Sequence, residues 1–379
     1  MTWTGRVNFE GDYMSGKVNI SFLIGNGFDI GMLKALGYEH STTYSEFYNY
    51  LTYYLINKQN FIYKEIENRK KLNEDKCVDI NKWTDYEEIL ADIVNEKINS
   101  NVDARIYSKV KYDWEEIQYL FADFLNQVVT PETLKQASNL NGKLWLERFL
   151  GDLSEDQLRH LNFFHKVTHR TEIVYHLFNF NYTSLLDNYA YWLFDPHPYL
   201  NSKNNADFYP NPGDLPHLGV NKDTFWSVKS SIITYHPHGS ISIPASILFG
   251  TSANGSYTNS AVKKNSSEYY NEELRKRLDK PYWSRFSSEY EPILDETDLF
   301  IIFGHSVGKS DETWWKTILK IMNDRTPDCE LIIYDYGGSY LKNKILTYAS
   351  RFQDQISDRI FTVKFDAEHP LRFGFNFDR

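Results

Sequence analysis

Apolar positions along the chain follow two rhythms. Largely apolar runs fill 18–24, 173–178, 299–303 and 331–334, the first three ending at Gly25, Asn179 and Gly304. Runs of that length and setting read as strands buried on both faces. Shorter runs at 231–235, 247–250 and 361–365 read as further strands. Between them the spacing is helical. Phe47, Tyr50, Leu51, Tyr54 and Leu55 share one face of a helix expected from Tyr44 to about Lys70, with Ser41-Thr42-Thr43 supplying an N-cap. Helices are also expected over 83–98, 103–129, twice within 131–170, and over 184–193, 262–290 and 311–322, with one more after Gly337-Gly338. Residues 195–223, rich in Pro, Asn and Gly, read as a long loop of the kind that serves as a lid.

Strand–helix alternation predicts the α/β class, a Rossmann-like parallel sheet with helices on both faces. The helical stretch at about 41–170 interrupts the sheet pattern, which then resumes, so it reads as an insertion in one domain spanning 18–379. Residues 1–17 read as a tail, with Met14 an alternative start.

Composition narrows the function. The chain of 379 residues is 41% hydrophobic and 16% aromatic, enough for a large core. Its formal net charge of −10 argues against free-standing binding to nucleic acid or an anionic membrane, which requires a basic face. The apolar runs are of strand length and too short to span a bilayer, and the N-terminus lacks a signal pattern. Cys77 and Cys329 lie far apart, which fits a reducing cytoplasm better than a disulfide framework.

The candidate chemistry lies just after strands. Gly25-Asn26-Gly27-Phe28-Asp29 follows the first run and reads as the turn of a dinucleotide-binding fold, although the third glycine of the usual fingerprint is absent. Asn179-Phe180-Asn181-Tyr182-Thr183, His236-Pro237-His238-Gly239 and Gly304-His305-Ser306 follow later strands. In a doubly wound sheet such turns share one crevice. No metal is expected: His236 and His238 lack a third ligand at suitable spacing, and His165 and His169 lack the glutamate of a zinc-protease helix. A serine hydrolase is an alternative, because Gly304-His305-Ser306-Val307-Gly308 fits a nucleophile elbow, with Asp335 and His369 following in order.

An ordered set of short motifs carries a resemblance. Ile24-Gly25-Asn26-Gly27-Phe28-Asp29, Thr43-Tyr44-Ser45-Glu46-Phe47, Trp83-Thr84-Asp85-Tyr86-Glu87, Phe180-Asn181-Tyr182-Thr183, His238-Gly239 with Leu248-Phe249-Gly250, and Gly304-His305-Ser306 with Ser310-Asp311 follow one another along the chain. Together they resemble the AbiH family of phage abortive-infection proteins, which is related to sirtuin-like NAD-binding domains. The stretch 30–40 departs from the family pattern, with Met32-Leu33-Lys34-Ala35-Leu36-Gly37 where a His-Gly-Leu-Pro-like piece is usual.

The resemblance implies a sirtuin-like fold, NAD as ligand or substrate, and a cytoplasmic role in bacterial antiviral defence. It places Asn181 and His238 beside the nicotinamide ribose as catalytic residues. Gly25, Asn26, Gly27, Phe28 and Asp29 would bind the cofactor, and Gly304 and Ser306 would face the adenosine side. Such a site would hydrolyse NAD, or bind a related nucleotide as a sensor without turnover. The diphosphate would rest on the N–H groups of Gly25 to Phe28. Asp29 would repel it if aimed inward, and reads as a cap of the following turn or an acceptor for ribose hydroxyls; Asp187 reads as structural. Control would come from the helical insertion, self-assembly into a homo-oligomer, or a partner protein.

Overall fold

In a computed structural model the chain is described over residues 16–55, 58–76, 102–139, 149–167, 171–193, 205–208, 226–250, 266–338, 340–349 and 351–366. The strands are β1 (Lys17–Ile24), β2 (Glu172–Asn179), β3 (Asn205–Phe208), β4 (Trp226–Tyr235), β5 (Leu299–Phe303), β6 (Glu330–Tyr336) and β7 (Ile360–Phe365). They form one sheet in the order β3-β4-β2-β1-β5-β6-β7, parallel throughout except for β3 against β4. Without β3 this is the Rossmann order, in which the connections reverse direction at β1 and its neighbour β5. The expected α/β, Rossmann-like class is the class observed.

The alternation of buried side chains explains the layers. Ile20, Phe22 and Ile24 of β1, Ile301 and Phe303 of β5, and Ile332 and Tyr334 of β6 pack on one face, together with helix α1 (Gly27–Ala35). Leu23, Phe300, Ile302, Leu331 and Ile333 point the other way. There they meet Trp314, Trp315, Ile318 and Leu319 of an amphipathic helix at Glu312–Asp324. A strand covered on both faces has no solvent side, which is why these strands read as near-continuous apolar runs, the buried Asn19 and Ser21 of β1 being hydrogen-bonded.

Between β1 and β2 the chain runs through α2 (Tyr44–Tyr54), α3 (Phe61–Lys76), α4 (Ala104–Val128) and α5 (Pro131–Asn139), then shorter turns; α6 (Leu185–Leu193) follows β2. Continuing in chain order, α7 is Ser267–Leu278, α8 Glu312–Asp324 and α9 Leu341–Leu346. The single helix expected from Tyr44 to about Lys70 is two. Asn60 starts the second by accepting the N–H groups of Ile62 (3.0 Å) and Tyr63 (3.3 Å) through Oδ1. Lys58 Nζ closes the first by donating to the carbonyls of Leu51 and Thr52.

Two further expectations are corrected. Residues 247–250 are not a strand. Ile247 and Phe249 plug instead into the core of α2, α3 and α4, while the Gln118 amide holds the Ile247 carbonyl at 2.6 Å. Within the expected loop of 195–223, Asn205–Phe208 forms the antiparallel edge strand β3. The expected helix at 83–98, residues 1–15, Cys77, His169 and His369 lie outside the described residues. Among the described residues no helix is long and apolar enough to cross a membrane.

Asn60→Ala should lower the unfolding free energy by about 1–2 kcal/mol, the usual range for a lost N-cap. The buried amide also bonds the Asp113 carbonyl and Glu116. Urea denaturation checks this.

Candidate functional site

Strand register brings the turns together. Ile24 of β1 pairs with Asn179 of β2 on one side and with Phe303 of β5 on the other. Phe178 of β2 pairs with Tyr235 of β4. The four strands therefore end level, and the turns starting at Gly25, Phe180, His236 and Gly304 leave the sheet along one edge.

The β1 and β5 turns touch through their main chains. Gly25 N–H donates to the Phe303 carbonyl (2.9 Å) and Gly27 N–H to the Gly304 carbonyl (2.8 Å). A Cβ on Gly25 would lie 2.6 Å from the Gly304 oxygen, and one on Gly27 would lie 2.6 Å from the Gly304 Cα. Gly304 itself has φ of +64°, where a β-carbon is strained. These glycines thus serve close packing of two turns. The N–H groups of Gly25, Gly27 and Phe28 all donate within the protein. Phe28 is wholly buried and packs edge-on against Tyr189. The Asn26 side chain exchanges hydrogen bonds with Thr42, its Oδ1 accepting from the hydroxyl at 2.6 Å and its amide donating to the carbonyl at 3.1 Å.

Asp29, in the first turn of α1, caps nothing locally. It reaches across to the β2 turn, accepting from Asn181 Nδ2 (3.0 Å) and from the Thr183 hydroxyl (2.6 Å). Burial pushes its carboxyl up to about 7; the bonds from Thr183 and Asn181 oppose the rise and Asp187 adds to it. Asn181 is itself buried, and its Oδ1 has no hydrogen-bond partner among the described residues. Asn179 braces the turn: its Oδ1 accepts the Asn181 N–H and its amide lies 3.3 Å from both the Thr183 carbonyl and Asp187. Asp187 in turn meets His236 Nε2 at 2.9 Å.

His238 belongs to a second buried cluster, centred on Asp311. His238 Nε2 lies 3.0 Å from Asp311 Oδ1, Lys280 Nζ 3.2 Å from the same oxygen, and His305 Nε2 3.7 Å from Oδ2. Burial alone would raise the Asp311 carboxyl. Lys280, His238 and His305 outweigh it and hold the group far below the usual carboxylate range. Asp311 is therefore an ionised acceptor, to which His238 Nε2 donates. Burial pushes His305 down to about 4, although Asp311 draws it up. Its Nδ1 accepts the Val307 N–H at 3.1 Å.

Phe180 joins the two clusters. Its ring meets His238 at 4.9 Å and His305 at 5.0 Å, both edge-on, and it is the residue immediately before Asn181. Gly239 (φ +87°) places His238: a Cβ there would fall 2.0 Å from the Ser246 oxygen. The His238 carbonyl accepts the Leu248 N–H at 2.9 Å.

The expected residues Asn181 and Asp29 thus touch directly, whereas His238 sits in the Asp311 cluster, against the ring of Phe180. His305 and Asp311 lie in the motifs quoted above, but the hub role of Asp311 and the part of Lys280 are not legible there. Lys280 reaches the cluster through the packing of a short helix at Lys280–Trp283, which Pro281 opens.

Ser306 is exposed, and its carbonyl accepts from Lys344 Nζ. The residue at positive φ is Val307 (51°), and α8 begins only at Glu312. A nucleophile elbow places the strain on the serine and the helix directly behind it. Asp335 is buried and lies 3.4 Å from the Leu341 N–H. Among the described residues no group of His, Cys, Asp and Glu could hold a metal ion.

The fold and this row of polar turns define a Rossmann-like α/β protein with its candidate site at the switch point. The profile of the family described as Bacteriophage abortive infection AbiH matches residues 21–334, and the chain belongs to that family. The match runs from β1 into β6 and includes every residue of both clusters. No curated protein and no solved structure matches the chain.

Gly304→Ala should lower the unfolding free energy by on the order of 2 kcal/mol or more, from left-handed strain plus the contact with the β1 turn. Asp29 gives a pH signature of defined sign. Its folded pKa lies above the unfolded value, so the native state holds the extra proton between about 4 and 7 and stability falls as pH rises through that window. Asp29→Asn should flatten this component, read as the difference between wild-type and variant melting temperatures across that range.

Proposed function

We propose that this phage-defence protein binds NAD over the switch-point edge and hydrolyses it to nicotinamide and ADP-ribose in the bacterial cytoplasm. The observation that carries this reading is the Asn181 amide. It is buried, anchored through its nitrogen to Asp29, and has an oxygen without a partner among the described residues. A buried acceptor of this kind suits a ribose hydroxyl or a water.

The chemistry balances without a metal. The bond between ribose C1′ and the nicotinamide nitrogen breaks, and its electron pair leaves with the neutral base. The ribose passes through an oxocarbenium-like state, as in glycoside hydrolysis. Water adds at C1′, and its proton goes to His238 Nδ1, while Asp311 steadies the imidazolium that forms. Asn181 Oδ1 orients that water or a ribose hydroxyl. The dinucleotide would cross the outer side of the glycine contact, past Asn26, with its adenosine end towards Ser306.

Incubation of purified protein with NAD should release nicotinamide. Asn181→Ala and His238→Ala should each cut the rate by roughly 10²–10⁴-fold, the range for a lost general base or positioned donor–acceptor. Unchanged activity in both variants would reject the assignment. Binding of NAD without release, in the presence and absence of phage infection, would mark a sensor, and fluorophosphonate labelling of Ser306 would mark a hydrolase.

A further inference from the structure

Oxygen and nitrogen of an asparagine amide have nearly the same shape, so its neighbours decide which way it faces. At Asn181 the deciding neighbour is Asp29. An ionised carboxylate only accepts, and Asp29 Oδ1 lies 3.0 Å from Asn181 Nδ2. Its other oxygen is held by the Thr183 hydroxyl at 2.6 Å. The main chain of the turn cannot shift to compensate, because the Asn181 N–H is fixed on Asn179 Oδ1. Asn181 Oδ1 is thereby turned away from Asp29, buried and without a protein partner among the described residues.

We propose that Asp29 is a positioning residue: its carboxylate fixes the Asn181 amide so that the oxygen, an acceptor, is offered to a ligand group that donates, a ribose hydroxyl or the attacking water. The identity of the ligand rests on the NAD reading above; the coupling between Asp29 and Asn181 does not.

Protonation loosens this arrangement. Burial raises Asp29 to about 7, Asp187 on α6 is the charged group acting on it, and His236 stands beyond Asp187. A protonated Asp29 no longer demands two donors, and the amide becomes free to turn over. The site therefore favours its ligand above neutral pH.

Two readouts test this. In protein labelled with ¹⁵N at asparagine, the Asn181 side-chain NH₂ signals should shift with a midpoint near neutrality, and Asp29→Asn should abolish the shift. Wild-type signals that stay constant across neutral pH would overturn the proposal, and this measurement needs no variant to fold. In calorimetry with ADP-ribose, Asp29→Asn should weaken binding roughly tenfold in the wild-type background and less than twofold in Asn181→Ala, because the two residues act as one unit. Losses that multiply would overturn it. If wild-type protein binds no ADP-ribose while the Asn181 signals titrate, the NAD reading falls and the positioning role of Asp29 stands.

Discussion

Contact between two glycine turns fixes the geometry of everything at the carboxyl edge of the sheet. Gly25 and Gly27 lie against Gly304 with no room for a β-carbon between them. This contact locks the end of β1 to the end of β5, the pair at which the chain reverses its direction of travel across the sheet. It also sets where α1 begins, and hence where Asp29 stands. Because Ile24 is level with Asn179 as well as Phe303, the carboxylate on α1 then faces the β2 turn at hydrogen-bonding distance. A small residue in the first turn thus serves the architecture directly and the site indirectly.

The two carboxylates at this edge live in opposite surroundings. Asp29 has neutral donors and another carboxyl nearby, and burial dominates. Asp311 is equally enclosed but faces Lys280, His238 and His305. One is pushed up towards neutrality and the other is held ionised. Environments that drive two like groups apart are a mark of sites built for proton traffic. The Phe180 ring lies against both imidazoles of the Asp311 cluster, and the next residue along the chain is Asn181.

Much of this was legible in the sequence, for definable reasons. β1, β2, β5 and β6 are covered on both faces, so their apolar runs are near-continuous, and the first three end at Gly or Asn. The level ends of the strands follow from topology, which made convergence of the four turns foreseeable. Residues 247–250 misled because an apolar run ending in glycine has the same composition whether it pairs in a sheet or fills a gap between helices. β3 was hidden in a loop rich in turn residues, since a short edge strand needs little apolar content. The use of the Gly25 and Gly27 N–H groups could not be foreseen either, because it depends on the distant Phe303 and Gly304 carbonyls. Lys280 becomes a site residue only through tertiary packing around Asp311.

The helical segment between β1 and β2 has a further consequence. Its core contains, besides Phe47, Phe121 and Trp114 of its own helices, side chains lent by the site loops: Tyr182, Ile241, Ile247 and Phe249. Tyr182 follows Asn181 directly, and its hydroxyl lies 3.3 Å from the Leu248 carbonyl. Leu248 in turn holds the His238 main chain. The loops bearing the amide and the imidazole are therefore rooted in the helices as firmly as in the sheet. Gln118 of α4 holds the Ile247 carbonyl as well, so the helical segment and the site loops share one core.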